Sequence, residues 1–230
     1  MEQRTPEWRE ARAARITASR FADVIAKPDT KRYRSYVQEV AWGRLGIPDF
    51  SPEDLPWFRH GNEWEAEARS FYEWETGREV TQAGLFIHPE LEFVACSPDG
   101  LSVGRGLEIK CRKSLAGHME TVRKRVDSIY LPQIQGGMWV CNLEKWDFVS
   151  FFKGVINGSP KRLIHVHTVE RDDKYIERIR QACIRCNEDI DSLVREQQHG
   201  IRATGHERIT FQERQEGNRQ APQREGVLHD

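Results

Sequence analysis

Ser97-Pro98-Asp99-Gly100-Leu101, followed after one short turn by Gly106-Leu107-Glu108-Ile109-Lys110-Cys111, is the stretch on which the reading of this chain turns. Asp99-Gly100 marks a tight turn, and Leu107 to Cys111 alternates apolar and charged residues with the period of a β-strand. On a strand, residues i and i+2 share a face, so Glu108 and Lys110 project together while Ile109 points the other way. Taken alone, this is any half-exposed strand with a turn in front of it. Two carboxylates that can meet beside an ammonium are also the minimum equipment for metal-assisted hydrolysis of a phosphodiester. Their oxygens suit a hard divalent cation, and the Lys can orient water or offset developing negative charge. The surroundings decide between the two readings.

The chain has 230 residues, room for one sizeable α/β domain rather than two. Lys+Arg 35 against Asp+Glu 36 leaves a net charge of −1, so bulk charge does not announce a nucleic-acid binder. It excludes one only weakly, because a basic phosphate track and an acidic metal site cancel in the total. No stretch approaches the roughly 20 apolar residues of a membrane span, and Met1 to Pro6 lacks the apolar core of a signal peptide. A cytoplasmic protein without membrane contact is expected. The cysteines at 96, 111, 141, 183 and 186 fit reduced thiols better than a disulfide frame. Cys183-Ile184-Arg185-Cys186 reads as two thiols on a helix rather than a zinc or iron–sulfur site.

Thr5-Pro6 predicts a helix start, with Arg9, Arg12 and Arg15 on the helix, and Ile16-Thr17-Ala18-Ser19 interrupts it. Thr17 or Ser19 then caps a helix through Phe21, Val24 and Ile25, ended by Pro28. Helices follow over 31–45 and from Gly61 to Thr76, on either side of a loop with prolines at 48, 52 and 56. Strands are predicted at Val80–Ile87, Glu92–Ala95, Leu101–Val103 and Leu107–Cys111. Further helices cover 115–127 and 130–141. Strands over 146–152 and 163–169 flank an Asn157-Gly158-Ser159-Pro160 turn, and a long helix runs from Asp172 to about Gln198. The order predicts an α/β fold with a mixed central sheet flanked by helices. Residues 1–200 form the domain and 201–230 a polar tail.

Four pieces surround the opening run. Gly61 to Ala68 is a carboxylate-rich helix from which Glu65 can be a further acidic ligand, while Glu63 and Glu67 read as a solvated face. Gln133 interrupts an otherwise apolar helix in which Gly136-Gly137 permits close packing; it is either a satisfied core amide or a group that reaches the scissile phosphate or its water. Arg12 and Ser19 near a helix N-terminus are parts of a phosphate site. Trp8 beside them is either a core aromatic or a stacking platform for a base.

Together these pieces resemble the phage lambda-type exonucleases, also called YqaJ-like viral recombinases, of the PD-(D/E)xK nuclease superfamily. The resemblance runs from about Trp8 to about Tyr175. It is carried by Ile16-Thr17-Ala18-Ser19, Ile25 to Pro28, Gly61 to Arg69, Ala95 to Leu101, Gly106 to Cys111, Gln133-x-Gln135 with Met138-Trp139-Val140, and Glu170-Arg171-Asp172. It implies a restriction-endonuclease-like fold and a Mg²⁺-dependent 5′→3′ exonuclease, with Mn²⁺ as a substitute, that resects double-stranded DNA ends to 3′ overhangs for recombination. By that resemblance Asp99 and Glu108 hold the metal with the Ile109 carbonyl, and Lys110 is the catalytic lysine. Glu65 is the helix acid that helps hold metal, Gln133 the glutamine beside the centre, and Arg12, Ser19 and Ser97 bind the 5′ phosphate. A toroidal homotrimer around DNA and a single-strand annealing partner are also implied.

Two departures stand out. The family's pocket takes an arginine after the catalytic strand, where this chain has Ala116, with Arg112, Lys113 and His118 as substitutes; and Asp29 stands where a relative has a basic residue. Rival readings are another nuclease on the same core, either an endonuclease or a Cas4-like enzyme with an iron–sulfur cluster, and a non-catalytic DNA-end-binding protein. The cluster needs more closely spaced cysteines than Cys183 and Cys186, and a relic would be expected to have lost Asp99, Glu108 or Lys110.

Overall fold

Pro98 has no N–H to give to a strand ladder, and the chain changes sheets there. In the computed structural model, which describes residues 3–47 and 56–203, Val94–Cys96 (β3) belongs to one sheet and Gly100–Ser102 (β4) to another. In the first sheet β3 pairs in parallel with Ile16–Thr17 (β1) and antiparallel with Phe86–Ile87 (β2). The second has the order β4-β5-β6-β7, with β5 at Arg105–Arg112, β6 at Lys145–Ile156 and β7 at Ser159–Glu170. Its β4/β5 and β6/β7 pairs are antiparallel and β5/β6 is parallel, so the sheet is mixed, as expected. Residues up to Val194 form one compact unit, and a second begins at Arg195.

Helices cover both faces of the second sheet. On one, α4 (Pro56–Thr76) buries Ala68 and Tyr72 against Leu107, Ile109, Val149 and Phe151. On the other, α6 (Leu131–Cys141) buries Ile134 and Met138 against Trp146 and Phe148, and α5 (Leu115–Lys124) lies beside it. Gly137 allows this approach: a Cβ there would come 2.5 Å from the Trp146 ring. Gly136 meets Phe21 of the small helix α2 (Phe21–Val24) in the same way, at 2.2 Å. The remaining core joins α3 (Lys31–Arg44), through Tyr33, Tyr36, Val37 and Val40, to α7 (Asp173–Ala203), through Ile179, Cys183, Cys186 and Ile190. Cys183 and Cys186 are thus buried thiols on a helix, and burial pushes Cys186 up to about 12. No helix among the described residues is long and apolar enough to cross a membrane.

Several expected boundaries move. Thr5 caps α1 (Pro6–Ala13) through Trp8 N, but neither Thr17 nor Ser19 caps α2: Ile16–Thr17 is a strand and Ala18–Arg20 a 3₁₀ turn. The strand expected at Val80–Ile87 reduces to a bridge between Thr81 and Leu101, plus β2, because β4 offers too short an edge to pair with. α4 starts at Pro56, a residue suited to the first helical position, rather than at Gly61. Helix α5 stops at Lys124 because Arg125 takes φ 66°. β6 and β7 extend to a two-residue turn, Asn157-Gly158, both at positive φ, which matches the twist of a hairpin. Of the loop containing the prolines, 48–55 lies outside the described residues, as does 204–230 of the expected tail.

Candidate active site

Asp99 stands where β4 stops pairing with β5. Asp99 N donates to Leu107 O at 3.1 Å, and one step further along the edge Asp99 Oδ2 accepts the Ile109 N–H at 2.6 Å, in place of a strand partner. Burial raises the Asp99 carboxyl well above the usual range, and the charges of Glu108 and Glu65 push it further, against the pull of Lys110 and the Ile109 N–H. Glu108, 2% exposed, projects from the α6-facing side of β5. Its Oε1 lies 2.5 Å from Lys110 Nζ, and its Oε2 accepts from Gln133 Nε2 at 2.6 Å. Burial opposes the charge on Lys110, yet Glu108 and Asp99 outweigh it and raise its pKa above the ordinary lysine value. Lys110 is therefore an ammonium, a donor rather than a base.

Glu65 is near enough for its charge to act on Asp99, but its oxygens are taken: Oε2 by Arg4 at 2.6 Å and Oε1 by Arg69 at 2.7 Å. Among the described residues no three His, Cys, Asp or Glu side chains converge closely enough to hold an ion together. In this structure Glu65, the helix acid expected to help hold metal, is ion-paired with Arg4 and Arg69 and lies near enough to act on Asp99. Arg69 also donates to Asp99 O at 3.1 Å, so it fixes the backbone that presents the acid. That role escaped the sequence reading, although its spacing from Glu65, i to i+4 on one helix, is visible there. The charge of Glu108 adds to the cost of ionising Asp99, a cost that a bound cation would relieve. An all-oxygen donor set suits Mg²⁺ or Mn²⁺.

Beside the acids a cavity is lined by Arg12, Thr17, Ser19, Cys96, Ser97 and Gln133, with Gly137 and Trp146. The expected phosphate residues are therefore gathered in one place. Arg12 donates to Ser19 Oγ at 3.1 Å, and the Thr17 and Ser19 hydroxyls are 3.3 Å apart. Trp8 is the core aromatic of the two alternatives: it is 5% exposed, its Nε1 donates to Ser97 Oγ at 3.0 Å, and Arg12 covers its ring at 4.4 Å. It braces the cavity rather than offering a stacking surface.

Of the substitutes for the family arginine, His118 is withdrawn, buried and bonded to Ser150 Oγ at 2.9 Å. Lys113 is exposed, and Arg112 lies on the face of Glu108 and Lys110. Glu67 is ion-paired with Lys153 and Arg162 at the solvent-accessible surface; the Glu63 side chain lies outside the described residues. After Asp29, Arg32 is tied to Asp23, while Lys31 and Arg34 are exposed.

The YqaJ-like viral recombinase domain matches residues 7–144. An alkaline exonuclease from Laribacter hongkongensis superposes with TM-score 0.75 at 28% identity, over 87% of this chain and 100% of that one; its complex with dAMP gives 0.76 and 29%, with the same coverage. A phage-related exonuclease from Haemophilus somnus, 18% identical, shares the fold with TM-score 0.65 over 80% of this chain and 96% of its own. An uncharacterized protein of Acanthamoeba polyphaga mimivirus is 26% identical over 162 residues, which are 64% of this chain and only 29% of that relative's length. The mixed sheet between helices is the restriction-endonuclease-like arrangement of the alkaline exonucleases. The domain match covers more than half of the sequence and takes in the acids, the lysine, the glutamine and the cavity lining apart from Trp146, so the chain belongs to the YqaJ-like viral recombinase family.

Proposed function

We propose that the protein is a divalent-metal-dependent exonuclease that digests one strand of duplex DNA from its 5′ end and leaves a 3′ overhang for recombination. One observation carries this reading. Gln133 bonds Glu108 and also lines the cavity of Arg12, Ser19 and Ser97, so the acid–ammonium centre and an anion pocket meet at one side chain. A terminal phosphate held in that pocket would leave the adjoining phosphodiester at the acids.

Asp99 and Glu108, with the Ile109 carbonyl and with Glu65 as the helix acid near them, would hold Mg²⁺, or Mn²⁺ in its place. Such a cation supplies Lewis-acid neutralisation of the phosphoryl oxygens and a more acidic water. Lys110, held as an ammonium, offsets negative charge that develops at the scissile phosphate or orients the attacking water. Gln133 fixes the second oxygen of Glu108, which leaves its carboxylate one orientation. The Arg12 guanidinium and the Ser19 and Ser97 hydroxyls supply donors for a terminal phosphate. A homotrimer that encircles DNA, a single-strand annealing protein as partner and a cytoplasmic setting belong to the same reading. Encirclement would let a chain of net charge −1 hold DNA.

The test is digestion of linear duplex carrying 5′-phosphate or 5′-hydroxyl ends, with Mg²⁺ or with chelator. Mononucleotide release from phosphorylated ends, at least tenfold faster than from hydroxyl ends and abolished by chelator, is expected. Cleavage of closed-circular DNA at a comparable rate would instead make it an endonuclease.

A further inference from the structure

Tyr130 entered none of the expectations for the site, yet it touches both cations beside Glu108. It closes the 3₁₀ turn Ser128–Tyr130 and is the N-cap residue of α6, with its N–H donating to Asp127 O at 2.9 Å. Three residues later on the same helix start, Gln133 reaches Glu108. Lys110 Nζ lies 4.9 Å from the centroid of the Tyr130 ring and the Arg112 guanidinium 5.6 Å from it, both over the ring. Arg112 Nη1 also points at the Tyr130 hydroxyl, at 3.4 Å. Behind the ring, fully buried Phe148 packs with centroids 5.2 Å apart.

Lys110 and Arg112 stand two residues apart on one strand face, so their charges repel each other. The ring gives each cation a place: Lys110 between the ring face and Glu108, Arg112 on the ring and its hydroxyl. We propose that Tyr130 is a positioning residue whose ring holds Lys110 against Glu108. The proposal rests on the nuclease reading of the site.

Its test pairs kinetics with a spectroscopic signature. Tyr130→Phe keeps the ring, and kcat on linear duplex stays within about threefold of wild type. Tyr130→Leu lowers kcat about tenfold or more at nearly unchanged KM, the pattern of a group misplaced in the transition state. By NMR, the Lys110 ε-methylene protons are shifted upfield by the ring in the wild type and in Tyr130→Phe, and lose that shift in Tyr130→Leu. If the Leu variant does not fold, Tyr130→Met takes its place. A folded ringless variant with wild-type kcat, a Phe variant as impaired as the ringless one, or a wild type without the upfield shift would each overturn the proposal. A wild type with the shift but no activity on any DNA would refute the nuclease reading and leave the ring contact established.

Discussion

On the α4 side of β5, Leu107 and Ile109 are buried with Ala68, Tyr72, Val149 and Phe151, and each contact removes apolar surface from water. On the α6 side the same strand carries Glu108, Lys110 and Arg112, charges brought out of water beside an Asp99 whose carboxyl is pushed well above its usual range. One side holds the strand in place. The other uses that rigidity to keep like charges close, an arrangement that works against stability. Changes on the two sides should therefore have opposite signatures.

The largest effect belongs to the polar side. Asp99→Asn or Lys110→Ala should cut digestion of linear duplex about a thousandfold or more, with the fold intact by circular dichroism. On the apolar side, Ile109→Ala should cost about 3 kcal/mol in urea unfolding, while the folded fraction at low temperature keeps kcat within a few fold. Equal loss of stability and activity in both sets would erase the distinction. Arg12→Ala, in the cavity, should raise KM about tenfold and remove any preference for 5′-phosphate over 5′-hydroxyl ends, without altering the metal requirement.

The smallest effect sharpens the contrast most. Because the folded-state pKa of Asp99 lies above its unfolded value, the native protein retains a proton that the unfolded chain has released. Stability therefore falls as pH rises through that window, and the deficit persists above it. Asp99→Asn removes the deficit while its amide oxygen can still accept the Ile109 N–H. Its Tm in chelator should exceed that of the wild type by a few degrees at pH 8, with the gap closing below about pH 4. A lower Tm at pH 8 would mean that the polar side stabilises the fold after all.

The alternation Leu107-Glu108-Ile109-Lys110 revealed both sides of β5 in advance, because burial on one face of a strand imposes a period of two on the sequence. Gln133 was visible as a polar residue in an apolar helix, and Gly136-Gly137 as a close approach. What stayed hidden depends on partners remote in sequence. Pro98 reads as a turn whether or not the strands beside it share a sheet. The polar ends of β6 and β7, 153–162, show no apolar pattern because none of their residues is buried in the core. The ion pair of Glu65 with Arg4 joins residues far apart in the chain. Trp8 and Tyr130 are aromatics, whose burial is written in what surrounds them rather than in their own spacing.

Ser97 and Asp99 are separated by Pro98 alone, the residue at which the chain passes from one sheet to the other. An extended chain covers at most about 3.6 Å per residue, so the cavity side chain and the acid are tied within about 7 Å along the backbone. Proline fixes φ, which makes this tether stiff. On the proposed reading the tether is a ruler. It sets the distance between the end that is gripped and the bond that is cut, so product length is written into three residues. Lengthening it by a single inserted glycine should disturb the size of the fragments released before it disturbs the capacity to cut.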